Sequence, residues 1–183
     1  MTVQSIRMVE GGAGGRLSLR PTMVAYRTQG DTHAELLATD LPIESLDPAV
    51  GFEGLTGQIV RVKMFTVPIA GKTPVSNSAA NTIIQHAVIN DGVLAVYGGS
   101  GLLRPRGRPG DDPLAAVLRG GTLRLTRAST ALLDPVGTAN IDVTLTAPLD
   151  APLAGIIAAR LDQIIEMTRP VGDEEAAGDG AGG

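Results

Sequence analysis

Frequent glycine and proline residues divide this chain of 183 residues into short segments, and no other feature limits its possible folds as strongly. The sequence contains 24 glycines and 12 prolines, and both residue types interrupt helices and extended strands. Short segments joined by tight turns are typical of all-β domains. Because 43% of the residues are hydrophobic but only 2% are aromatic, we expect one all-β domain with an aliphatic core.

Seven or eight strands can be assigned from the residue pattern, without a helical period between them. Asp91-Gly92 stands between two apolar runs and predicts a tight hairpin. Gly120-Gly121 predicts a second turn between strands, and residues 138–146 alternate between apolar and polar as a half-exposed strand does. We therefore expect an antiparallel eight-stranded β-barrel from about Arg16 to Thr146, since closure removes exposed strand edges.

The segment Asp150–Arg169 differs from the rest, because its apolar residues recur every three or four positions and predict an amphipathic helix. These residues are Leu153, Ile156, Ile157, Leu161, Ile164 and Ile165. Asp150 is a suitable N-cap and Pro170 a suitable stop. An isolated helix of this length is marginal in water, so its apolar face must be buried on its own barrel or between copies of the chain. We expect burial on the barrel, shared with a neighbouring subunit of a homodimer or homotrimer.

The predicted organisation is a barrel domain over residues 1–148, the helix over residues 149–169 and a flexible, acidic, glycine-rich tail over residues 170–183. The net charge of −4 belongs to this tail, which holds four acidic residues and no basic one. The rest of the chain has fifteen acidic and fifteen basic residues. A neutral body with few aromatic side chains argues against a nucleic-acid partner.

Standard catalytic and metal-binding motifs are missing from the sequence. With no cysteine and only two histidines, His33 and His86, we expect no metal and no cofactor. The serines form no G-x-S-x-G motif, and the glycine-rich stretches at residues 11–15 and 98–101 lack the lysine of a phosphate-binding loop. No run resembles a signal peptide or a membrane span, so we expect a cytoplasmic protein without a membrane partner.

The segment from Asp91 to Leu145 carries a resemblance to a known family. Gly98-Gly99, Gly120-Gly121, Arg127-Ala128 and the alternating Ile141–Leu145 follow one another in an order that resembles the second half of dirigent proteins and of allene oxide cyclase-like barrels. Bacterial spirotetronate-type cyclases belong to the same group. The resemblance implies an eight-stranded, lipocalin- or dirigent-like barrel whose lumen holds an apolar small molecule.

Two functions remain open on this basis. One is a cofactor-independent cyclase, for example for a [4+2] cycloaddition in natural-product biosynthesis, which uses the lumen as a template that orients the reacting carbons. The other is a non-catalytic barrel that is structural or binds an apolar ligand or a protein partner. An open lumen edged by polar groups would favour the cyclase, whereas a lumen filled by aliphatic side chains would favour the alternative.

A cyclase of this kind would need a few polar side chains at the lumen and apolar ones around the substrate. The polar candidates for catalysis are Tyr26, Tyr97, Gln85 and His86. The apolar candidates for substrate binding are Val62, Met64, Phe65 and Ile84. Each polar candidate also has a simpler explanation, since both tyrosines can be core residues and His86 can point outward. His33 follows a turn and is expected to be a solvated surface residue.

Charged residues also occur within the predicted strand from Gln58 to Ile69. Arg61 and Lys63 share one of its faces, and Val60 and Val62 lie on the other, so we expect the charged face to be solvated. If Arg61 pointed into the lumen instead, it would need a carboxylate partner or an anionic ligand. The run of residues 104–112, RPRGRPGDD, is expected to be a surface loop whose arginines and aspartates balance.

Overall fold

The computed structural model describes residues 5–10, 16–67, 80–130 and 137–171. The strands in these ranges are β1 (Ser5–Glu10), β2 (Arg16–Leu19), β3 (Met23–Gln29), β4 (His33–Thr39), β5 (Gly57–Met64), β6 (Thr82–Asn90), β7 (Val93–Gly101), β8 (Leu103–Arg106), β9 (Leu114–Ala128), β10 (Ala139–Ala147) and β11 (Arg169–Pro170). A 3-10 turn spans Ile43–Leu46, and the helix α1 spans Ala151–Met167. The predicted all-β fold class with a C-terminal helix is confirmed. Of the predicted acidic tail, residues 172–183 lie outside the described ranges, as does the glycine-rich stretch at residues 11–15.

All strands belong to one antiparallel sheet that curls into a half-barrel. Its nine-stranded path runs β2-β1-β10-β9-β7-β6-β5-β4-β3, and β8 and β11 pair with β9 beside this path. Tyr26 in β3 meets the segment that follows β10, because its N–H donates to the Pro148 carbonyl at 3.0 Å and its carbonyl accepts from the Asp150 N–H at 3.1 Å. β3, at one end of the strand order, is thereby hydrogen-bonded to the segment that follows β10, which lies near the other end.

The hairpin predicted at Asp91-Gly92 is confirmed. Asn90 pairs with Val93, and the two turn residues have φ values of 49° and 80°. Two successive positive φ values define the type I′ turn that matches the twist of antiparallel strands.

The turn predicted at Gly120-Gly121 is wrong, because β9 continues through both residues from Leu114 to Ala128. Ile141 of β10 pairs with Gly121, whereas Val143 pairs with Leu118, so β9 holds a bulge at this point. Gly120 has a φ of 62° and donates its N–H to the Asp142 carboxylate at 2.9 Å. The glycine pair bends one long strand instead of joining two.

Two apolar clusters pack against opposite faces of this sheet. The first fills the lumen with inward-facing side chains of most strands, among them Leu36, Val62, Ile84 and Ile141. The second lies between the outer face and α1, where Ile157, Leu161 and Ile164 of the helix meet side chains such as Leu37, Ile59 and Val96. Strands β3 to β7 therefore carry buried side chains on both faces.

The helix packs on its own barrel, mainly against β3 and β4. It begins as predicted, since the Asp150 carboxylate accepts a hydrogen bond from the Leu153 N–H at 2.9 Å. It ends at Met167, two residues before the predicted end, because Arg169 pairs with Ala128 of β9. Packing on the barrel buries Ile157, Leu161 and Ile164, whereas Ile156, which the sequence analysis assigns to the same apolar face, is exposed.

Candidate functional site

Six of the eight side chains predicted to form the site point into the lumen. Tyr26, Tyr97, Val62, Met64 and Ile84 belong to the lumen cluster, and His86 lies two residues from Ile84 on the same face of β6. Each of these six residues is 1% exposed or less. The suggestion that His86 points outward is therefore wrong.

Gln85 and Phe65 do not face the lumen, which corrects their predicted roles. Gln85 is on the outer face of β6, where its Oε1 accepts a hydrogen bond from Arg61 at 2.9 Å, because neighbouring side chains alternate between faces. Phe65 follows the last residue of β5 and is 42% exposed. Neither side chain points into the lumen with the other six candidates.

His86 has the most unusual environment in the lumen. Its Nε2 lies 2.9 Å from Oε1 of Gln58, and Nε2 of Gln58 donates to the Ser18 carbonyl at 3.4 Å. Because an amide oxygen can only accept, Nε2 of His86 carries the proton. Nδ1 is then an acceptor, and it is buried without a hydrogen-bond partner. Burial lowers the pKa of His86 to about 4, so the ring is neutral at pH 7.

Tyr26 and Tyr97 differ in their surroundings. The Tyr97 ring lies 6.5 Å from the His86 ring, centroid to centroid. The Tyr26 hydroxyl donates to the carbonyl of Asp111, and burial raises the pKa of this phenol. The Tyr26 hydroxyl is thus paired with the loop at Asp111, whereas Tyr97 and His86 lie near each other.

The loop that holds Asp111 is connected to neighbouring segments by hydrogen bonds. Of the predicted surface loop 104–112, residues 104–106 belong to β8 instead. Residues 107–112 are a mostly exposed loop, and its aspartates bind backbone groups. Asp111 accepts from the Arg108 N–H at 2.7 Å, and Asp112 accepts from the Leu149 N–H at 3.0 Å. These contacts connect the loop to the segment that meets Tyr26.

The lumen itself is filled by aliphatic side chains. Leu36, Leu118, Ile141 and Leu145, which come from three different strands, are each 1% exposed or less. A wall residue of an open cavity would be accessible to water, so these described residues pack as an ordinary core does.

Arg61 is not solvated as predicted, because it lies under α1 and is 3% exposed. Its guanidinium donates to the Ala158 carbonyl at 3.0 Å and to the Asp162 carboxylate at 2.7 Å, and its Nε lies 3.1 Å from the Glu35 carboxylate. These contacts attach the helix to β4 and β5. Lys63 is half-exposed, as expected.

An open groove lies outside the barrel, and the sequence analysis missed it. It has a volume of about 530 Å³ and is bounded by residues 48–53, the turn and strand at residues 91–94, residues 129–130, and Gln163 and Met167 of α1. In the sequence, the segment before β5 shows only the residues of a long loop. Its position against α1 depends on contacts between residues that are far apart along the chain.

Arg160 of α1 holds this loop in place. Its guanidinium stacks on the Phe52 ring at 3.8 Å and donates to the Gly51 carbonyl at 3.3 Å and to Gln163 at 2.6 Å. Gln163 in turn donates to the Pro48 carbonyl at 3.0 Å. Burial lowers the pKa of Arg160, and nearby Asp47 opposes this change, so we expect the guanidinium to stay charged.

Comparison with protein-family models, with curated proteins and with solved structures finds no match to this chain. Within the described ranges, no three His, Asp or Glu side chains are placed to hold a metal ion. No helix in these ranges is long and apolar enough to cross a membrane. The resemblance to dirigent and allene oxide cyclase-like barrels stays a prediction.

Proposed function

We propose that this chain is a non-catalytic β-barrel that binds an apolar small molecule in the external groove. The observation that supports this choice over the cyclase is the packing of the lumen. Val62, Met64 and Ile84, the residues predicted to contact a substrate there, are 1% exposed or less. The groove, by contrast, is open at about 530 Å³, within the roughly 300–1,000 Å³ of typical small-molecule sites.

The groove combines an apolar surface with a few polar groups. Val50 and Met167 are exposed at its edge, and Phe52 and Leu94 are buried in its wall. Such apolar side chains favour a hydrophobic ligand. Glu53 and Asp91 are also in the lining, so a negatively charged ligand would be repelled. The ligand that fits is therefore apolar and neutral or cationic.

The loop side of the groove is held before any ligand arrives. Arg160 and Gln163 bind the carbonyls of Gly51 and Pro48, and Phe52 is fixed under the Arg160 guanidinium. A preformed site loses little entropy when a ligand binds.

Nile red, a neutral apolar dye whose fluorescence rises in apolar surroundings, tests this proposal. We expect saturable binding to the wild type and at least about tenfold weaker binding to Val50→Glu/Met167→Glu, because both changes place a charge against the apolar dye. Both side chains are exposed, so the fold should persist, and circular dichroism verifies this.

Ile156→Glu is the matched control, since Ile156 is exposed on α1 but does not line the groove. This variant should bind the dye as the wild type does. Equal binding by the wild type and the double variant would contradict the groove proposal.

A second proposal is the cofactor-independent cyclase with its ligand in the lumen. The observation in its favour is Nδ1 of His86, a buried acceptor without a partner that a substrate hydroxyl would satisfy. It requires the lumen to open, since the surrounding side chains now fill it.

Retinol, a neutral polyene alcohol, is a suitable probe of this second proposal. Lumen binding predicts that His86→Leu weakens retinol uptake and that Val50→Glu/Met167→Glu does not, whereas groove binding predicts the reverse.

A further inference from the structure

A second, smaller cavity lies at the other end of the outer face from the groove. The groove is beside the turn at Asp91-Gly92, which follows β6, whereas this cavity is beside Met64 at the end of β5 and Ile83 near the start of β6. Its volume is about 210 Å³, below the roughly 300 Å³ at which sites for drug-sized ligands begin. A ligand here must therefore be small.

The charges in and behind this cavity do not balance. One carboxylate, that of Glu35, serves three cations: it binds Nε of Arg27, lies 3.1 Å from Nε of Arg61 and lies 3.7 Å from Nζ of Lys63. Arg61 has a second acidic partner in Asp162. Three cations thus share two carboxylates, which leaves one positive charge in excess.

The excess charge is on the accessible side. The Glu35 side chain is mostly buried, whereas the side chain of Lys63 is 50% exposed. Its contact with Glu35 is also longer than the contact between Arg61 and Glu35. Lys63 is therefore the cation most available to an added anion.

Apolar side chains stand next to this ammonium group. Phe65 and Ile83 line the cavity with Met64, and both Phe65 and Ile83 are exposed. Exposed apolar side chains beside a positive charge suit a ligand with an anionic head and a hydrocarbon chain.

We propose that this cavity binds a medium-chain carboxylate. The carboxylate pairs with Lys63 and with the outer part of Arg27, and the hydrocarbon chain covers Phe65 and Ile83. This site is separate from the external groove and does not depend on it, and it favours the anions that the groove repels.

Three probes of equal chain length, octanoate, octylammonium and octanol, test the proposal when added below the concentration at which octanoate forms micelles. Binding is followed by the amide NMR signals of the full chain. We expect octanoate to shift the signals of Lys63 and Ile83 with saturation, and the other two probes to bind there at least about fivefold more weakly. Signals of Gly92 and Ser129 report the groove separately, so failure at one site is distinguishable from failure at the other.

Lys63→Gln should weaken octanoate binding about fivefold, because a half-exposed ion pair contributes up to about that factor. Lys63→Arg should retain most of the affinity. Arg119→Gln is the matched control, since Arg119 is an exposed cation in an ion pair with Asp142 away from the cavity. Equal affinity for the three probes, or equal effects of Lys63→Gln and Arg119→Gln, would overturn the proposal.

Discussion

Among single residues, His86 is the one whose chemistry the fold changes most. In the sequence it stands in an apolar run and has no special neighbours. In the structure its ring is buried in the lumen, with one nitrogen paired to Gln58 and the other without a partner. Removal from water disfavours the charged ring, which is why its pKa falls to about 4. Between about pH 4 and pH 6.5 the protein therefore holds a neutral histidine that the unfolded chain would protonate.

We expect the free energy of unfolding to fall as the pH decreases from about 6.5 to about 4, between the ordinary histidine pKa and that of folded His86. Above this pH range His86 is neutral in both the folded and the unfolded chain, and its contribution to the free energy of unfolding is complete. Within this range the unfolded chain takes up a proton that the folded chain does not, so stability is lost. The full loss from this group is about 3 kcal/mol.

Urea unfolding of the wild type and His86→Leu, at pH about 7 and about 4.5, measures this effect. The variant should lose less stability on acidification than the wild type does. His33→Asn is the control, because His33 is exposed, and it should behave as the wild type. An equal loss in His86→Leu and the wild type would show that another group governs the acid response.

At the scale of elements, α1 and the outer face of the sheet stabilise each other. Ile157, Leu161 and Ile164 are fully buried against the strands. Arg61 of β5 reaches a carbonyl and a carboxylate of the helix. The contact thus combines apolar burial, the main favourable term, with charge-assisted hydrogen bonds that fix the position of the helix.

Ile157→Asp/Ile164→Asp should destabilise the protein by at least about 5 kcal/mol, because each change buries a carboxylate without a partner. This loss is comparable to the whole stability of a typical domain, about 5–15 kcal/mol. A melting curve should show a large decrease in Tm or no cooperative transition.

Ile156→Asp, at an exposed position of the same helix, should change Tm little. Light scattering on the wild type also tests the predicted homodimer or homotrimer. If neither mass nor Tm changes in the double variant, α1 is a passive appendage.

At the scale of the whole molecule, the junction between β3 and the segment after β10 determines how the edge of the sheet at β3 is covered. Tyr26 contributes its N–H, its carbonyl and its hydroxyl, to Pro148, Asp150 and Asp111 respectively. β3 would otherwise present an edge of unpaired backbone groups. The junction joins parts of the chain more than a hundred residues apart, so it forms only when the rest of the sheet is in place.

Hydrogen exchange tests this junction directly. We expect the amides of Tyr26 and Asp150 to exchange almost as slowly as that of Val62 in the central strand β5, because opening them requires global unfolding. The amide of Asp31, in the exposed turn after β3, should exchange quickly. Fast exchange at Tyr26 with slow exchange at Val62 would mean that the half-barrel opens along β3.

Local features of this protein are determined by its sequence. The hairpin at Asp91-Gly92 follows from two residues that tolerate positive φ. The start of α1 follows from the Asp150 cap, and its buried face follows from the helical period of the apolar residues. Each of these depends on interactions within a few residues, which is why the all-β class and the terminal helix could be predicted.

The tertiary structure decided which face of each strand points into the lumen and which residues far apart in the sequence contact each other. Alternation correctly separates Gln85 from His86, yet it does not say which side is the lumen, because both faces of β6 hold buried residues, His86 on one and Ala87 on the other. The charge of Arg61 predicts a solvated position, but the packing of α1 buries its side chain, which anchors the helix. The bulge at Gly120 and the groove beside Phe52 depend on contacts between segments far apart in the chain. The period of a strand encodes relative orientation, and only the packing of the complete sheet assigns an inside and an outside.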